Sequence, residues 1–319
     1  MPLTRRMFTS SPPPLIGVNF PYPRTDTNEV GDMDVLQSFL FVPADSSRKM
    51  TSARNLHPDA FIYDLEDAVL IANKHEARHL LTGELNSFIN PGPKIFIRVN
   101  GFGSTFFGDD LRAVVRREVS GIVLPKCNDA SQIAQVHQEL SRLENQMSMP
   151  EGSVKIITIL EGAKGVSLAG EIARSSSRII ALFFGAEDFC ADMGITRSKD
   201  GDEIGVARSL VALAAKSERL EAIDGPFTDF HDRVGLFEET RRVKKMGFTG
   251  KALIHPNQIE TVHQAMAPSD EEIALAHEIV SAFENSGGGV TAVRGKMIDE
   301  PVVVQARKVL KQNARERKA

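Results

Sequence analysis

Eight short apolar runs alternate with helical stretches between residues 38 and 256, and this alternation constrains the fold more than any other feature of the chain. The series begins with SFLFVP (38–43) and AFIYDLED (60–67) and ends with AIDGP (222–226) and GKALIHP (250–256). Strands that alternate with helices in this way predict a parallel α/β architecture. Eight such units in about 220 residues match a (β/α)₈ barrel, or TIM barrel.

The alternative fold is an open, doubly wound sheet. The runs are apolar almost throughout, as expected for parallel strands that are buried on both faces. An open sheet of the dinucleotide-binding kind would need a glycine-rich phosphate turn after its first strand, and VPADSS (42–47) is not one. The glycine-rich GFGSTFFG (101–108) follows the third run and misses the G-x-G-x-x-G spacing. We therefore predict a closed barrel over residues 37–267.

The segments on either side of the predicted barrel differ from it in composition. Residues 1–36 are rich in Pro, Ser and Thr and have no sustained period, which predicts a flexible extension. Arg5 and Arg6 give this extension a slight likeness to a transit peptide, although the acidic residues that follow count against that reading. Residues 268–319 contain two helical stretches separated by three glycines and the polar GKMIDEP, which predicts C-terminal helices with a lid.

Charge and cysteine content exclude several classes of partner. The net charge of −4 predicts no nucleic-acid partner, and no apolar run reaches the length that a membrane-spanning helix needs. The two cysteines suggest no disulfide framework, so we expect a reducing compartment, the cytoplasm. A mitochondrial location would follow if residues 1–36 were a transit peptide.

Two carboxylates follow the fifth and sixth apolar runs. Glu161 comes after KIITIL and Asp188 after ALFFGAE, and the residues between the runs can form one amphipathic helix. A parallel strand–helix–strand unit would bring both acids to one rim of the sheet. Mg²⁺ typically takes one or two protein carboxylates and leaves its other positions to water and substrate. We predict a Mg²⁺ site at this pair; the alternative is that Glu161 caps a helix and Asp188 anchors a loop.

Arg98 ends the third run and lies at the same predicted rim. A guanidinium is permanently charged and fork-shaped, so Arg98 is suited to an anionic substrate oxygen. It could also pair with Glu66 or Asp67 of the DLED segment, which would fix its orientation. The other polar residues at predicted strand ends are Asp64, Lys126 and His255.

Three basic side chains near the rim have more than one reading. Arg48 and Lys49 lie at the start of the first predicted helix and could hold a phosphate group, or simply form a solvated face. His255 precedes Pro256 at the end of the last run and could act as a general base or serve as a structural histidine.

The order of these motifs resembles that of the citrate lyase β-subunit-like proteins of the HpcH/HpaI aldolase superfamily, which includes malyl-CoA and citramalyl-CoA lyases. The resemblance runs from Gln37 to the C-terminus and rests on LFVPAD, DLEDAV, IRVN, GIVLPK, FGAEDFCADMG and ALIHPNQI. The chain departs from the family pattern at Gln37-Ser38, where Arg-Ser is usual, at Ala44, where Gly is usual, and at Gly162, where Thr is usual. None of these departures removes a residue that the chemistry needs.

The resemblance implies a TIM barrel, Mg²⁺, and reversible cleavage of a carbon–carbon bond in a 3-hydroxyacyl-CoA of the malyl-, citramalyl- or citryl-CoA type. The products would be acetyl-CoA and a 2-oxo acid. Carried over residue by residue, it makes Glu161 and Asp188 the metal ligands. It also makes Arg98 the group that stabilises the oxyanion, beside Glu66 and Asp67.

Further roles follow from the same resemblance. Asp299 matches an Asp that completes the neighbouring subunit's site in relatives of this kind, which implies a homo-oligomer, a trimer or a hexamer. Contacts to CoA would come from Arg48 or Lys49 and from His255 and Pro256. Two alternative functions stay open: a class II aldolase that acts on free hydroxy acids, and a citrate lyase β-chain that needs partner subunits.

Overall fold

The computed structural model describes residues 36–87 and 92–316, and eight parallel strands form a closed barrel within them. Spatial order follows sequence order, and the last strand pairs with the first. The predicted barrel is therefore confirmed, and each predicted run overlaps one strand. The strands are β1 Ser38–Pro43, β2 Ala60–Asp64, β3 Lys94–Arg98, β4 Gly121–Leu124, β5 Lys155–Leu160, β6 Ile179–Phe184, β7 Glu221–Asp224 and β8 Gly250–Leu253.

Helices surround the barrel and bury their apolar faces against its outer surface. Successive strand residues point to opposite faces, so Ala60 and Ile62 of β2 fill the interior while Phe61 and Tyr63 pack under the helices. The helices are α1 Ser47–Ala53, α2 Lys74–Leu85, α3 Phe107–Val114, α4 Ala130–Gln146, α5 Ala163–Ser167, α6 Ala169–Arg174, α7 Ala186–Met193, α8 Gly205–Ser217, α9 Arg233–Lys245 and α10 Gln258–Met266.

Two details of the fifth and sixth units differ from the predictions. The prediction of a single helix between β5 and β6 is wrong, because the chain forms two helices, α5 and α6, with a break at Leu168. The prediction that Asp188 ends a strand is also wrong. β6 ends at Phe184, Gly185 is extended, and Asp188 lies in the first turn of α7. Glycine is required at this point because a Cβ on Gly185 would lie 2.6 Å from Cβ of Glu161.

The C-terminal segment has a small apolar core of its own. It comprises α11 Asp270–Asn285, the hairpin of β9 Thr291–Val293 and β10 Lys296–Ile298, and α12 Glu300–Glu316. Phe283, Ile298 and Val303 are buried in a cluster that contains no barrel residue. Gly287 and Gly288 end α11 with positive φ angles, and the N–H of Gly288 donates to the carbonyl of Phe283.

The predicted N-terminal extension lies outside the described residues up to position 35. Across the described ranges, no helix combines the length and the apolar character that crossing a membrane requires.

Candidate active site

Arg98 is the last residue of β3, and its guanidinium lies at the C-terminal rim of the barrel. The strand register places it opposite Asp64, the last residue of β2. Its Nε and Nη2 donate to Oδ1 and Oδ2 of Asp64 at 2.8 and 2.6 Å, and its Nη1 lies 3.2 Å from Oε2 of Glu66. The ring of Phe41 lies 4.9 Å from the guanidinium carbon. This two-pronged pairing fixes both the position and the plane of the guanidinium.

The charge of Arg98 is secured by the same contacts. Burial acts to lower the pKa of Arg98, but the hydrogen bonds and attraction of Asp64, with a further contribution from Glu66, raise that pKa above its ordinary value. Arg98 therefore presents a fixed positive charge at the rim at every pH where the fold persists.

Asp64 also shapes the turn that carries Glu66. Its Oδ1 accepts the N–H of Glu66 at 2.8 Å and its Oδ2 accepts the N–H of Ala68 at 3.1 Å. From the other side, Nζ of Lys74 donates to the carbonyls of Leu65 and Glu66 at 2.7 Å each. From its sequence context Asp64 is only a polar residue at a predicted strand end, yet this buried carboxylate holds both Arg98 and the DLED turn.

Glu161 follows β5 directly and is only 6% exposed. Its Oε1 accepts the backbone N–H of Lys126 at 2.6 Å. Nζ of Lys126 donates to Oε1 of Glu66 at 2.6 Å and lies 3.5 Å from Oδ1 of Asp67. Lys126 therefore links the carboxylates that follow β2 and β5, a role that no pattern in the sequence indicates.

The carboxylates at the rim fall into two groups. Asp64, Glu66 and Asp67 each have a cationic side chain within 4.0 Å. Glu161 and Asp188 have no such partner among the residues that the structure describes. Burial, repulsion by Asp188 and repulsion by Glu66 together raise the pKa of Glu161 to about 8. The two carboxylates that lack a cation are thus close enough to repel each other.

This pair fits a divalent cation with an open coordination shell. Both groups offer hard oxygen ligands, and a cation between them would remove the repulsion that now favours protonated Glu161. No cluster of three or more His, Cys, Asp or Glu that could hold a metal occurs within residues 36–87 and 92–316. A metal here would consequently leave several positions to water and substrate.

The structure does not bring every predicted site residue to this cluster. Asp67 is exposed at its edge, and Arg48 and Lys49 are exposed on α1. Asp299 lies just before α12, and within the described ranges its side chain makes one hydrogen bond, at 3.4 Å to the N–H of Val302.

His255 and Pro256 follow β8 on a partly exposed loop. Nδ1 of His255 is 2.7 Å from Oδ1 of Asn257, and its ring stacks on Phe230 with centroids 5.0 Å apart. This histidine is therefore already held by two neighbours.

Comparison with known proteins agrees with this geometry. A family model described as HpcH/HpaI aldolase/citrate lyase matches residues 37–256. Citrate lyase subunit beta of Leuconostoc mesenteroides subsp. cremoris is 34% identical over 278 residues, which cover 86% of this chain and 92% of that protein. The mitochondrial citramalyl-CoA lyase of Homo sapiens is 33% identical over 290 residues, which cover 85% of this chain and 83% of that protein.

A solved structure extends the match to three dimensions. The crystal structure of CitE from Mycobacterium tuberculosis in complex with magnesium, acetoacetate and coenzyme A superposes with a TM-score of 0.74 at 31% identity, and the match covers 88% of this chain and 98% of that one. The resemblance predicted from the motifs is confirmed. The chain belongs to the HpcH/HpaI aldolase/citrate lyase family.

Proposed function

We propose that this protein is a Mg²⁺-dependent carbon–carbon lyase that reversibly cleaves a 3-hydroxyacyl-CoA into acetyl-CoA and a 2-oxo acid. The observation that carries the proposal is that one rim holds a fixed guanidinium, Arg98, together with two carboxylates, Glu161 and Asp188, that have no cationic partner in the described residues. The names of relatives, citrate lyase subunit beta and citramalyl-CoA lyase, support the reaction class.

Glu161 and Asp188 are the proposed Mg²⁺ ligands. The complex of the Mycobacterium tuberculosis relative with magnesium supports the choice of metal. When bound, Mg²⁺ supplies a Lewis acid for the oxygens of the acyl portion. The backbone N–H of Lys126 keeps Oε1 of Glu161 in place, and Glu161 is buried, so little rearrangement of this ligand is needed.

Arg98 is proposed to stabilise negative charge that develops on a substrate oxygen during cleavage. The hydroxyl group loses its proton to a water molecule and becomes the carbonyl of the 2-oxo acid, while the electron pair of the broken carbon–carbon bond passes to the thioester portion and forms its enolate. A donor that is already oriented does not have to reorganise when this charge develops. Asp64 supplies that orientation through two hydrogen bonds, and Glu66 lies against the third guanidinium nitrogen. Asp67 borders the same site through Lys126.

Asp299 is proposed to exchange a proton with the enolate carbon in the site of a neighbouring subunit. Its segment packs into an apolar cluster separate from the barrel core, which is consistent with a lid that serves another copy. The proposal includes a homo-oligomer, a trimer or a hexamer. Co-expression of Asp299→Asn with Glu161→Gln protomers tests it, because shared sites predict that mixed oligomers regain part of the activity that each variant lacks.

The CoA portion is proposed to lie along the loops after β1 and β8. Arg48 and Lys49 are exposed in the first turn of α1, just after the first of these loops, and His255 and Pro256 belong to the second. β1 and β8 are neighbours in the barrel, so the two loops lie at adjacent positions of the same rim. The coenzyme A of the Mycobacterium tuberculosis relative supports this class of ligand.

The purified full-length protein should be assayed with malyl-CoA, citramalyl-CoA and citryl-CoA, each with Mg²⁺ and with excess EDTA. We expect cleavage of at least one thioester that EDTA abolishes and Mg²⁺ restores. Equal activity with EDTA would contradict the metal, and cleavage of free malate or citramalate at the same rate would favour the class II aldolase. Absence of activity with all three thioesters would favour a β-chain that needs partner subunits, as the citrate lyase relatives allow.

For the compartment we propose a reducing one, the cytoplasm, or the mitochondrion if residues 1–36 act as a transit peptide. Support comes from Cys127 and Cys190, which are both free thiols. A fluorescent protein fused after residue 36 of the chain would report which compartment the extension selects.

A further inference from the structure

Lys126, two residues past the end of β4, has a left-handed backbone conformation with a φ of 55°. Three other non-glycine residues in the described ranges share this feature, and each has an ordinary reason. Ser148 and Arg219 directly follow the C-caps of α4 and α8, and Arg294 lies in the two-residue turn of the β9–β10 hairpin. Lys126 is at neither kind of position. A side chain with a Cβ disfavours this conformation, so the surroundings must hold it.

The conformation lets one residue hold two carboxylates. The backbone N–H of Lys126 points at Glu161, with 2.6 Å between N and Oε1. The side chain reaches the other acid, with 2.6 Å between Nζ and Oε1 of Glu66. Glu161 follows β5 and Glu66 follows β2, so Lys126 bridges carboxylates from two separate positions on the barrel rim.

The neighbours of Lys126 keep its backbone in place. The N–H of Cys127 donates to the carbonyl of Ile159 at 3.3 Å, and Nδ2 of Asn128 donates to the carbonyl of Lys126 at 3.2 Å. On the far side, Gly165 of α5 lies so close that a Cβ there would be 2.4 Å from the carbonyl oxygen of Cys127. The segment is thus clamped between β5 and α5, and the strain is imposed by tertiary structure.

We propose that Lys126 is a positioning residue with two separable functions, an inference that rests on the function proposed above. Its backbone N–H orients Glu161 for Mg²⁺. Its ammonium group holds Glu66 beside Arg98, so that the guanidinium faces the substrate. The first function depends on the φ angle and the second on the side-chain charge, which means that different substitutions at one position test them separately.

The test compares Lys126→Gly, Lys126→Val and Lys126→Arg in the full-length protein. Glycine adopts the left-handed conformation freely, so Lys126→Gly should bind Mg²⁺ within about twofold of wild type in calorimetry, yet lose about tenfold in kcat for the preferred thioester. A β-branched residue resists this conformation, so Lys126→Val should also weaken Mg²⁺ binding about tenfold. Lys126→Arg keeps the charge and should recover most of the kcat.

Arg219 provides a matched control because it has a φ of 57° and lies after α8, next to the start of β7 at the opposite end of the barrel. Arg219→Val should lower the melting temperature as Lys126→Val does, while its Mg²⁺ affinity stays at the wild-type value. If Lys126→Val does not fold, the role of the ammonium charge is still tested, because kcat should fall in Lys126→Gly and recover in Lys126→Arg.

Two results would overturn the role of Lys126 in an active, Mg²⁺-binding enzyme: Lys126→Gly with wild-type kcat, or Lys126→Val with wild-type Mg²⁺ affinity. A wild-type protein that neither binds Mg²⁺ nor cleaves any of the three thioesters would instead contradict the proposed function itself. The two failures are therefore distinguishable.

Discussion

Replacing Asp64 with asparagine tests whether the orientation of Arg98 matters for catalysis or only for folding. Asp64 is 1% exposed, and each of its oxygens accepts one guanidinium N–H and one backbone N–H. Asparagine has nearly the same shape, but one of its two ends is an amide nitrogen that donates. Two of the four hydrogen bonds must therefore be lost, and Arg98 loses its principal counter-charge.

The size of the effect follows from these four contacts. A lost hydrogen bond to a charged group costs about 1.5–3 kcal/mol and a neutral one about 1 kcal/mol. Breaking one side of a buried ion pair costs about 3–5 kcal/mol in all. Glu66 stays beside Arg98 and offsets part of this, so we expect Asp64→Asn to lose about 3 kcal/mol of unfolding free energy. With the guanidinium no longer held, kcat should fall about 100-fold, as when an oriented oxyanion donor is removed.

Glu144 gives a matched control for this experiment. Its two oxygens accept two N–H groups of Arg178 and the backbone N–H groups of Gly152 and Val154, the same pattern as at Asp64. This pair is more deeply buried than Arg98 and Asp64, but Arg178 precedes β6 and Val154 precedes β5, at the end of the barrel opposite the rim. Glu144→Gln should therefore cost a similar free energy of unfolding and leave the kcat of the folded enzyme unchanged.

The assay is urea denaturation for stability together with kcat and KM for the preferred thioester at saturating Mg²⁺. A kcat for Asp64→Asn within threefold of wild type would refute the argument that Asp64 orients Arg98. An equal drop in kcat for Glu144→Gln would show that loss of stability alone explains the effect.

Three further changes probe other parts of the structure. Gly185→Ala places a Cβ 2.6 Å from Cβ of Glu161, so calorimetry should show Mg²⁺ affinity at least about tenfold weaker; an unchanged affinity would mean that this carboxylate is not a ligand. Glu161→Gln removes one carboxylate, and the rise in melting temperature on adding Mg²⁺ should disappear; a retained rise would put the metal elsewhere. Burial opposes the ionised form of Glu239, but attraction by Lys251 and Arg208 outweighs it and lowers its pKa from 4.5 to about 2. Its contribution to stability, on the order of 3 kcal/mol, is therefore present above pH 4.5 and lost as pH falls towards 2. In urea denaturation, the free energy of unfolding should fall less steeply with decreasing pH for Glu239→Gln than for wild type; an equal pH dependence in both proteins would contradict this.

The barrel could be predicted because its strands leave a strong local signal. A strand buried on both faces must be apolar at nearly every position, and seven of the eight strands lie inside the predicted apolar runs, while β7 begins one residue earlier, at Glu221. The family motifs were recognisable for a related reason, since LFVPAD, DLEDAV and ALIHPNQI are the places where strands end and the rim begins. Arg98 and Glu161 follow from this rule, and the structure brings them to one rim.

The parts that could not be predicted depend on contacts between distant residues. Nothing in GAEDF shows that β6 ends before Gly185, because the reason for the glycine is the side chain of Glu161, which follows the neighbouring strand β5. Lysine is not a residue type that indicates a positive φ, so the conformation of Lys126 is invisible in the sequence. The three acids of DLED look alike in the sequence, although Asp64 is buried and Asp67 is exposed.

The way that Glu161 is held suits a metal ligand better than a salt bridge would. A lysine or arginine side chain paired with Glu161 would fix its position but also neutralise its charge, and would compete with a divalent cation for the same oxygens. A backbone N–H contributes only a partial charge, so it can orient the carboxylate while leaving its affinity for a cation largely intact. Arg98 and Lys126, two basic side chains at the rim, are accordingly engaged elsewhere, Arg98 with Asp64 and Glu66 and Lys126 with Glu66. The left-handed backbone conformation of Lys126 places an N–H group beside Glu161, where a cationic side chain would compete with the metal ion.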